Sequence, residues 1–481
     1  MVTPSILGQP VNIRKTITFL VVLAITLFLA LVPSDFYHID GLTVIQQRTI
    51  AIFAFTALLW MTEAIPTWTT SALSIVIMLL TISNKGLGFM LSGDVGAMAN
   101  FKNIMASFAN PVIMLFMGGF VLAICAQKVG LDVQLAKILL KPFGTNPKFV
   151  LLGLWVVSAF FSMFMSNTAT AAMMLTFLTP VIATLPPDGK GRIALLLAIP
   201  VAANLGGIGT PIGTPPNAIA LGALAEAGYD ISFGQWMARM VPFVVVMLLI
   251  SWVLLLAIFP FKAKKIELKI EDSVCQVNTF QKYIVWIVFA VTIILWVGES
   301  VFGVNSNIVA LIPFGVFAAC GIFTKDDLKE INWSVLWMVA GGFALGTALE
   351  ETGLAKMLIN AIPFASWNVV VVLLVSGLVC YILSNFISNS ASANLIVPIL
   401  IVVGSAMSEV PAFQAIGGVK TLIVGVAVAA SLAMTLPVST PPNALACSSG
   451  LISTKQMATI GIIVGVIGFV LGYAMLIFIG I

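Results

Sequence analysis

Two stretches of this 481-residue chain decide its fold: MFMSNTATAAMM at residues 163–174 and NFISNSASANLIV at residues 385–397. Each places a serine, an asparagine and a second hydroxyl residue in the middle of a long apolar run that carries no charge. The two triplets are Ser166-Asn167-Thr168 and Ser388-Asn389-Ser390. Because nearly the same polar triplet interrupts two apolar runs, we expect it to do more than form a surface loop.

The composition places the chain in a membrane. Hydrophobic residues make up 60% of it and charged residues 8%, whereas a soluble domain has about 25% charged residues. We therefore predict an all-α polytopic membrane protein. The single histidine argues against a histidine-based metal site, and no phosphate-binding loop is present. An enzyme is not expected, and the small net charge of +4 gives no indication of a nucleic-acid partner.

The apolar runs predict about 11 transmembrane helices. Two runs, residues 149–185 and 366–408, are too long for one helix, and each carries a triplet near its centre. We predict a re-entrant hairpin for each run, with the triplet at the tip; two full spans per run is the alternative. With a cytoplasmic N-terminus, most of the 22 lysines and arginines then fall on the cytoplasmic side of a cell membrane.

An internal repeat relates the two halves of the chain. WMTE at residue 60 matches WVGE at 296, SNTATA at 166 matches SNSASA at 388, and GTPPNAIAL at 213 matches STPPNALAC at 439. Each half contains an odd number of spans plus one hairpin, so the second copy must be inserted upside down. Such inverted repeats are typical of alternating-access transporters.

The repeat predicts four parts of the chain. They are residues 1–46 with the first helix, a first repeat at 47–260, a cytoplasmic linker at 261–282 and a second repeat at 283–481. Each repeat also contains a predicted broken helix, at residues 193–224 and 419–449. The motifs GGIGTPIGTPPN and TLPVSTPPN interrupt these two helices, because proline cannot continue the helix that precedes it but suits the first turn of the next.

Hairpin tips and broken helices together predict one binding pocket. Serine and asparagine cap helix N-termini well, and the free N–H groups there attract an anion. Oxygen atoms at the same turns are suitable ligands for a cation such as Na⁺. An isolated Ser-Asn-Thr triplet is more typical of helix packing, and a lone Pro-Pro of a kink. Four such elements paired by a repeat favour a site. Glu63 and Glu299 are also related by the repeat, and a structural hydrogen bond is expected of them rather than a proton relay.

At these residues the chain resembles the divalent anion/sodium symporter family, which includes bacterial dicarboxylate transporters and animal Na⁺/citrate cotransporters. The resemblance implies that both triplets, together with Thr214 and Pro437, bind substrate carboxylates. It also implies two Na⁺ sites. One would use Ser162, Ser166, Asn167, Gly209 and Gly213, and the other Ser384, Ile387, Asn389 and Thr435. The resemblance further implies a homodimer in the lipid bilayer that works by an elevator mechanism. Ser390 departs from the family pattern, which has threonine there.

The function expected from this resemblance is secondary active transport of C4–C5 dicarboxylates such as succinate, malate, fumarate or 2-oxoglutarate, by Na⁺ symport. No cofactor is expected, apart from Na⁺ as a possible coupling ion. Three alternatives remain at this point. They are Na⁺-independent exchange of one dicarboxylate for another, transport of a different anion such as citrate or sulfate, and a channel.

Overall fold

The chain folds almost entirely into α-helices. A computed structural model describes residues 5–6, 9–10, 12–186, 189–266 and 278–480. The helices of the N-terminal half are α1 (Ile13–Leu31), α2 (Val44–Thr62), α3 (Thr67–Thr81), α4 (Phe101–Ala106), α5 (Pro111–Lys128), α6 (Leu131–Leu140), α7 (Pro147–Phe164), α8 (Asn167–Thr184), α9 (Lys190–Gly207), α10 (Pro215–Glu226) and α11 (Phe233–Ile258).

The C-terminal half continues in the same way. Its helices are α12 (Thr279–Val297), α13 (Glu299–Phe302), α14 (Ser306–Val309), α15 (Leu311–Ala319), α16 (Trp333–Glu351), α17 (Leu354–Ala361), α18 (Val369–Phe386), α19 (Asn389–Ala406), α20 (Pro411–Ala415), α21 (Gly418–Leu432), α22 (Pro441–Ser448) and α23 (Thr454–Phe478). Two strands of two residues each, β1 (Ser5–Ile6) and β2 (Gln9–Pro10), pair antiparallel near the N-terminus.

Ten helices in the described part of the chain are long and apolar enough to cross a membrane, and four shorter ones are also apolar. The polytopic helical membrane fold predicted from the sequence is therefore confirmed. This set is not the same as the eleven predicted spans. It includes three hairpin arms, α7, α18 and α19, and it leaves out predicted spans that the structure divides or shortens. One predicted span covered residues 307–323, for example, and the structure has two short helices there, α14 and α15.

Both predicted hairpins turn at their triplets. In the first, α7 ends at Phe164, and Ser166 caps α8 by accepting a hydrogen bond from the N–H of Ala169 at 3.2 Å. In the second, Ser388 caps α19 by accepting one from the N–H of Ala391, also at 3.2 Å. Because a serine side chain satisfies an otherwise free N–H group at each turn, the chain can reverse inside an apolar environment.

Both predicted broken helices are interrupted at their proline pairs. Thr214 and Thr440 are extended, with φ of −148° and −141°, and each is followed by two prolines that begin a new helix. The interruption separates α9 from α10 and α21 from α22. A proline lacks the N–H group that would continue the preceding helix, but its fixed φ suits a first helical turn.

The two hairpins approach the interruptions from opposite sides. Helix α9 packs along α7 and α8, whereas its continuation α10 packs along α19 and α21. Helix α21 packs along α18 and α19, whereas α22 packs along α8 and α9. Each broken helix therefore leaves its own hairpin and continues beside the other one, so the two tips meet at the level of the interruptions.

The limits of the four predicted parts can be placed on these helices. Helix α2 begins at Val44, three residues before the predicted start of the first repeat, and α12 begins at Thr279, inside the predicted linker. Residues 267–277 of that linker lie outside the described residues. The division into two inverted repeats stays a prediction.

Candidate substrate and cation site

The two hairpin tips and the two helix interruptions line a single cavity of about 190 Å³. Five helices, α8, α10, α16, α19 and α22, begin at its wall. The lining residues are Phe116, Phe120, Ser166, Asn167, Thr168, Asn204, Ile212, Gly213, Thr214, Pro215, Asn332, Val335, Ser388, Asn389, Ser390, Ser431, Ser439, Thr440, Pro441 and Pro442. Segments that lie far apart in the sequence but share the repeated motifs therefore meet at this cavity.

Seven of the eight predicted substrate residues line this cavity. Both triplets do so, and Thr214 is buried in the wall with 5% of its surface exposed. Pro437 lies in the interruption between α21 and α22 but is absent from the described lining; Ser439 and Thr440 occupy that part of the wall instead. Three residues separate Pro437 from Pro441, where α22 begins, and the part of the interruption that reaches the cavity starts at Ser439.

The cavity is polar without being charged. Among the described residues its lining contains no lysine, arginine, aspartate or glutamate. Its polar groups are hydroxyls, side-chain amides and the N–H groups that begin α8 and α19, whereas α10 and α22 each begin with two prolines, which have no N–H. These groups favour an anion, since the positive end of each helix dipole lies at the wall.

Oxygen atoms converge behind the first hairpin tip. The hydroxyl of Ser162 lies 2.5 Å from Oδ1 of Asn167 and 2.7 Å from the carbonyl oxygen of Ala203. A hydroxyl has one proton and can donate to only one of them. The cluster therefore has more lone pairs than protons, which is the chemistry of a cation ligand set.

Two glycines complete this cluster from the interrupted helix. A Cβ atom on Gly207 would stand 2.7 Å from Oδ1 of Asn167, and one on Gly213 would stand 2.4 Å from the carbonyl oxygen of Gly207 and 2.9 Å from that of Ser162. Only glycine allows such close approach. A Cβ atom on Gly209 would meet the side chain of Met163 and the carbonyl oxygen of Gly206, and the role of this glycine in a cation site stays a prediction.

The second hairpin is built differently behind its tip. Ser384 is fully buried, and its hydroxyl lies 3.9 Å from the thiol sulfur of Cys380. Oδ1 of Asn389 is buried and has no hydrogen-bond partner in the described structure. Ile387 has extended backbone at the turn, and the N–H of Thr435 donates to Oδ1 of Asn385 at 2.9 Å. Ser384, Ile387 and Asn389 thus lie at or near the hairpin turn, and Thr435 adjoins them from the interruption between α21 and α22.

Comparison with known proteins gives the family. A family model described as a citrate transporter (CitMHS) matches residues 57–417. The sodium-dependent dicarboxylate transporter SdcS of Staphylococcus saprophyticus is 31% identical over 88% of this chain and 83% of its own length. SdcS of Staphylococcus aureus is 30% identical over 91% of this chain and 86% of its own. This chain belongs to the divalent anion/sodium symporter family.

The family expected from the hairpin tips is thus confirmed, and the chain is a membrane transporter. A solved structure shares the fold of this chain: the YdaH transporter of Alcanivorax borkumensis matches with a TM-score of 0.53 at 15% identity, over 89% of this chain and 98% of that one. At this identity the likeness extends to the fold alone.

The sequence analysis missed the asparagines that hold the interrupted helices. Nδ2 of Asn217 donates to the carbonyl oxygens of Gly207 and Thr210 at 3.0 and 2.8 Å. Nδ2 of Asn443 donates to those of Met434 and Leu436 at 2.8 and 3.0 Å. Both residues belong to the TPPN motifs, so the repetition of this motif in the sequence could have identified them.

A further missed residue joins the two predicted repeats. Nδ2 of Asn204 lies 3.1 Å from the hydroxyl of Thr440 and 3.2 Å from Oδ1 of Asn443. In the second repeat, the hydroxyl of Ser439 donates to the carbonyl oxygen of Asn385 at 2.8 Å. Asn385 directly follows Ser384, and this second Ser-Asn pair was the available signal.

Glu299 has the structural role expected of it. Its carboxylate accepts hydrogen bonds from the N–H of Phe233 at 2.8 Å and of Ser306 at 3.2 Å, so it caps the start of two helices. Glu63 ends α2 with a positive φ of 45° and an exposed side chain. Neither residue lines the substrate cavity in the described structure.

Proposed function

We propose that this protein is a secondary active transporter that carries C4–C5 dicarboxylates, such as succinate, malate, fumarate or 2-oxoglutarate, across the cell membrane together with Na⁺. The observation that carries the proposal is the pair of Ser-Asn-hydroxyl tips on one small cavity. Each tip offers hydroxyl and amide donors beside a helix N-terminus. Two equivalent anion-binding tips suit a ligand with a carboxylate at each end.

The size and charge of the cavity support a small dicarboxylate. At about 190 Å³ it is smaller than the pockets of about 300–1,000 Å³ that hold drug-sized ligands. Since its described lining contains no basic side chain, two carboxylates would be held by helix dipoles and neutral donors alone. A cation bound close by would therefore strengthen the binding of the dicarboxylate.

The oxygen clusters behind the tips are the proposed Na⁺ sites. Ser162 and Asn167 with the carbonyl oxygens around Gly207 and Gly213 would form the first, and Ser384 and Asn389 with the carbonyl oxygens around Ile387 and Thr435 the second. A bound Na⁺ would supply positive charge that offsets the substrate's negative charge. The surplus lone pairs at Ser162 and the unpaired Oδ1 of Asn389 fit a cation. The SdcS relatives are named as sodium-dependent dicarboxylate transporters, which supports this coupling.

The same proposal includes the mode of movement. The hairpins and broken helices would move as one unit against the remaining helices, as an elevator within a homodimer, with the N-terminus in the cytoplasm. The crossed packing of α10 and α22 supports a single moving unit, because it ties the two hairpins to each other. Na⁺-independent exchange is the second candidate, since the same cavity could serve it.

Uptake of labelled succinate into proteoliposomes tests the function. We expect uptake that depends on an inward Na⁺ gradient and is blocked by excess malate or fumarate. Uptake that needs internal dicarboxylate and ignores Na⁺ would establish exchange instead. Succinate uptake that excess dicarboxylates leave unchanged, or a preference for citrate or sulfate, would overturn the substrate assignment.

A further inference from the structure

A second cavity, of about 300 Å³, lies away from the hairpin tips. Helices α10 and α19 form one side of it, and α16 and α17 form the other. In the described part of the chain, its lining and that of the substrate cavity have no residue in common. It is therefore a separate space, although α10, α16 and α19 each contribute other residues to the substrate cavity.

Two carboxylates line this second cavity. Oε1 of Glu226 accepts a hydrogen bond from Nδ2 of Asn110 at 2.7 Å. Oε2 of Glu226 faces Gly346, where an added Cβ atom would stand 3.9 Å from it. The negative charge of Glu350 acts on Glu226. Both glutamates are exposed, so a ligand can reach them, and a bound cation would relieve their repulsion.

A buried amide in the same lining is independent of the carboxylates. Asn394 is fully buried, and its Nδ2 donates to the carbonyl oxygen of Met338 at 3.2 Å. That bond fixes the orientation of the amide. Its Oδ1 has no partner in the described structure. A buried acceptor left without a donor costs about 1–3 kcal/mol, so this oxygen favours a ligand that donates.

The rest of the described lining is mainly apolar, and it contains no lysine or arginine. The large apolar side chains are Ile219, Phe343, Leu349, Ile359, Val397, Ile401 and Val402. Acceptor oxygens set among such side chains do not suit a bare metal ion, which prefers oxygen ligands all round. They suit an ammonium group that carries an apolar body.

We propose that this cavity binds an organic ammonium ion and that the bound ion slows transport. The ammonium would donate to Glu226 and Glu350 at the mouth, and the apolar body would pack against Phe343 and Val397. Since α10 and α19 pack against α16 across this space, an occupant would hold the two sides together. The effect on transport rests on the proposed function, but binding does not.

Binding is measured first, by isothermal titration calorimetry of phenethylammonium chloride into the purified full-length protein in detergent. The uncharged 2-phenylethanol serves as the matched ligand, with the same aromatic body and a hydroxyl in place of the ammonium. We expect saturable binding of the ammonium and at least tenfold weaker binding of the alcohol. Equal binding of the two would overturn the proposal, because it would show partition into detergent.

Three variants locate the site. Glu226→Gln combined with Glu350→Gln removes both charges while glutamine keeps an acceptor for Asn110, and we expect about a tenfold loss of affinity, as for one charge-assisted hydrogen bond. Gly346→Ala adds a methyl group in ordinary contact with Glu226 and should weaken binding by narrowing the cavity. Glu409→Gln removes an exposed carboxylate that is absent from this lining and should bind as the wild type does.

Transport is measured second, as succinate uptake with and without phenethylammonium. We expect a lower maximal rate with an unchanged KM, and loss of inhibition in the double glutamine variant. Competitive inhibition, or equal inhibition of wild type and variant, would overturn the site. If succinate is not transported at all, the proposed function fails, and the calorimetric result for the cavity still stands.

Discussion

Asn167 and Asn389 occupy equivalent positions in the two hairpins but have different neighbours. Oδ1 of Asn167 lies 2.5 Å from the hydroxyl of Ser162, whereas Oδ1 of Asn389 is buried with no partner in the described structure. Ser390 stands where the first tip has Thr168, so the tips also differ at the cavity surface. Equivalent motifs therefore build unequal halves of one site.

Because of this difference, we expect alanine variants of the two asparagines to lose succinate uptake alike but to differ in their free energy of unfolding. We expect Asn167→Ala and Asn389→Ala each to abolish succinate uptake, because both remove a polar group from a hairpin tip. Asn167→Ala also removes a hydrogen bond and should lower the free energy of unfolding by about 1 kcal/mol. Asn389→Ala removes an unpaired acceptor and should not lower it. Uptake and thermal unfolding check both, and near-normal uptake by either variant would count against the cavity.

Asn217 and Asn443 hold the helix interruptions in place. Each donates from Nδ2 to two carbonyl oxygens at or just beyond the end of the preceding helix. We expect Asn443→Leu, which has a similar volume, to lower the free energy of unfolding by about 1–3 kcal/mol, because buried carbonyl groups lose their donor. Asn360→Leu changes an exposed asparagine and should leave the melting temperature in detergent unchanged. Equal effects of the two substitutions would contradict this role.

At the scale of elements, the interruption between α9 and α10 depends on close backbone approach. A methyl group on Gly207 would meet Oδ1 of Asn167 at 2.7 Å and the carbonyl oxygen of Gly213 at 3.0 Å. We expect Gly207→Ala to reduce Na⁺-stimulated uptake at least tenfold, because it displaces oxygens of the first proposed Na⁺ site. Gly315→Ala in α15 has no atom within 4 Å of the new Cβ and serves as the control. Unchanged Na⁺ stimulation in Gly207→Ala would argue against a cation at this position.

Local chemistry made the hairpins and interruptions predictable. A serine cap and a proline pair act on their own turn, so Ser166, Ser388 and the two Pro-Pro motifs locate the ends of helices from sequence alone. Pairwise contacts between distant elements leave no such local mark. Nothing near α10 in the sequence indicates that it packs along α19, and nothing near Asn204 indicates that it contacts Thr440. The second cavity depends on such contacts, so it could not have been predicted.

At the scale of the whole molecule, one ion pair joins the two predicted repeats outside the cavities. Nζ of Lys128, at the end of α5, lies 2.7 Å from Oδ2 of Asp327 in the loop before α16. Thr324 donates to the same oxygen from its N–H at 2.6 Å and from its hydroxyl at 2.8 Å. Burial acts to raise the pKa of the Asp327 carboxyl, but the hydrogen bonds from Lys128 and Thr324 outweigh it and hold that pKa below its ordinary value.

The lowered pKa of Asp327 fixes the direction of a pH effect. A carboxyl whose pKa is lower in the folded protein binds protons more readily in the unfolded chain, so its stabilisation is complete above the unfolded pKa of about 3.9. The stabilisation is then lost as the pH falls through the lower folded value. Asp327→Asn should therefore lower the free energy of unfolding by about 1–3 kcal/mol at pH 7, and the gap to wild type should close below about pH 4.

The neighbouring ion pair provides the control for this effect. Asp326 and Lys329 also lie 2.7 Å apart, but their side chains are 87% and 74% exposed, and exposed pairs contribute about 0–1 kcal/mol. Asp326→Asn should therefore unfold like the wild type at every pH. Thermal unfolding of the three proteins between pH 3 and pH 7 in detergent distinguishes the pairs. A gap for Asp327→Asn that stays constant down to pH 3 would show that asparagine disturbs packing, and that the charge of Asp327 does not join the two halves.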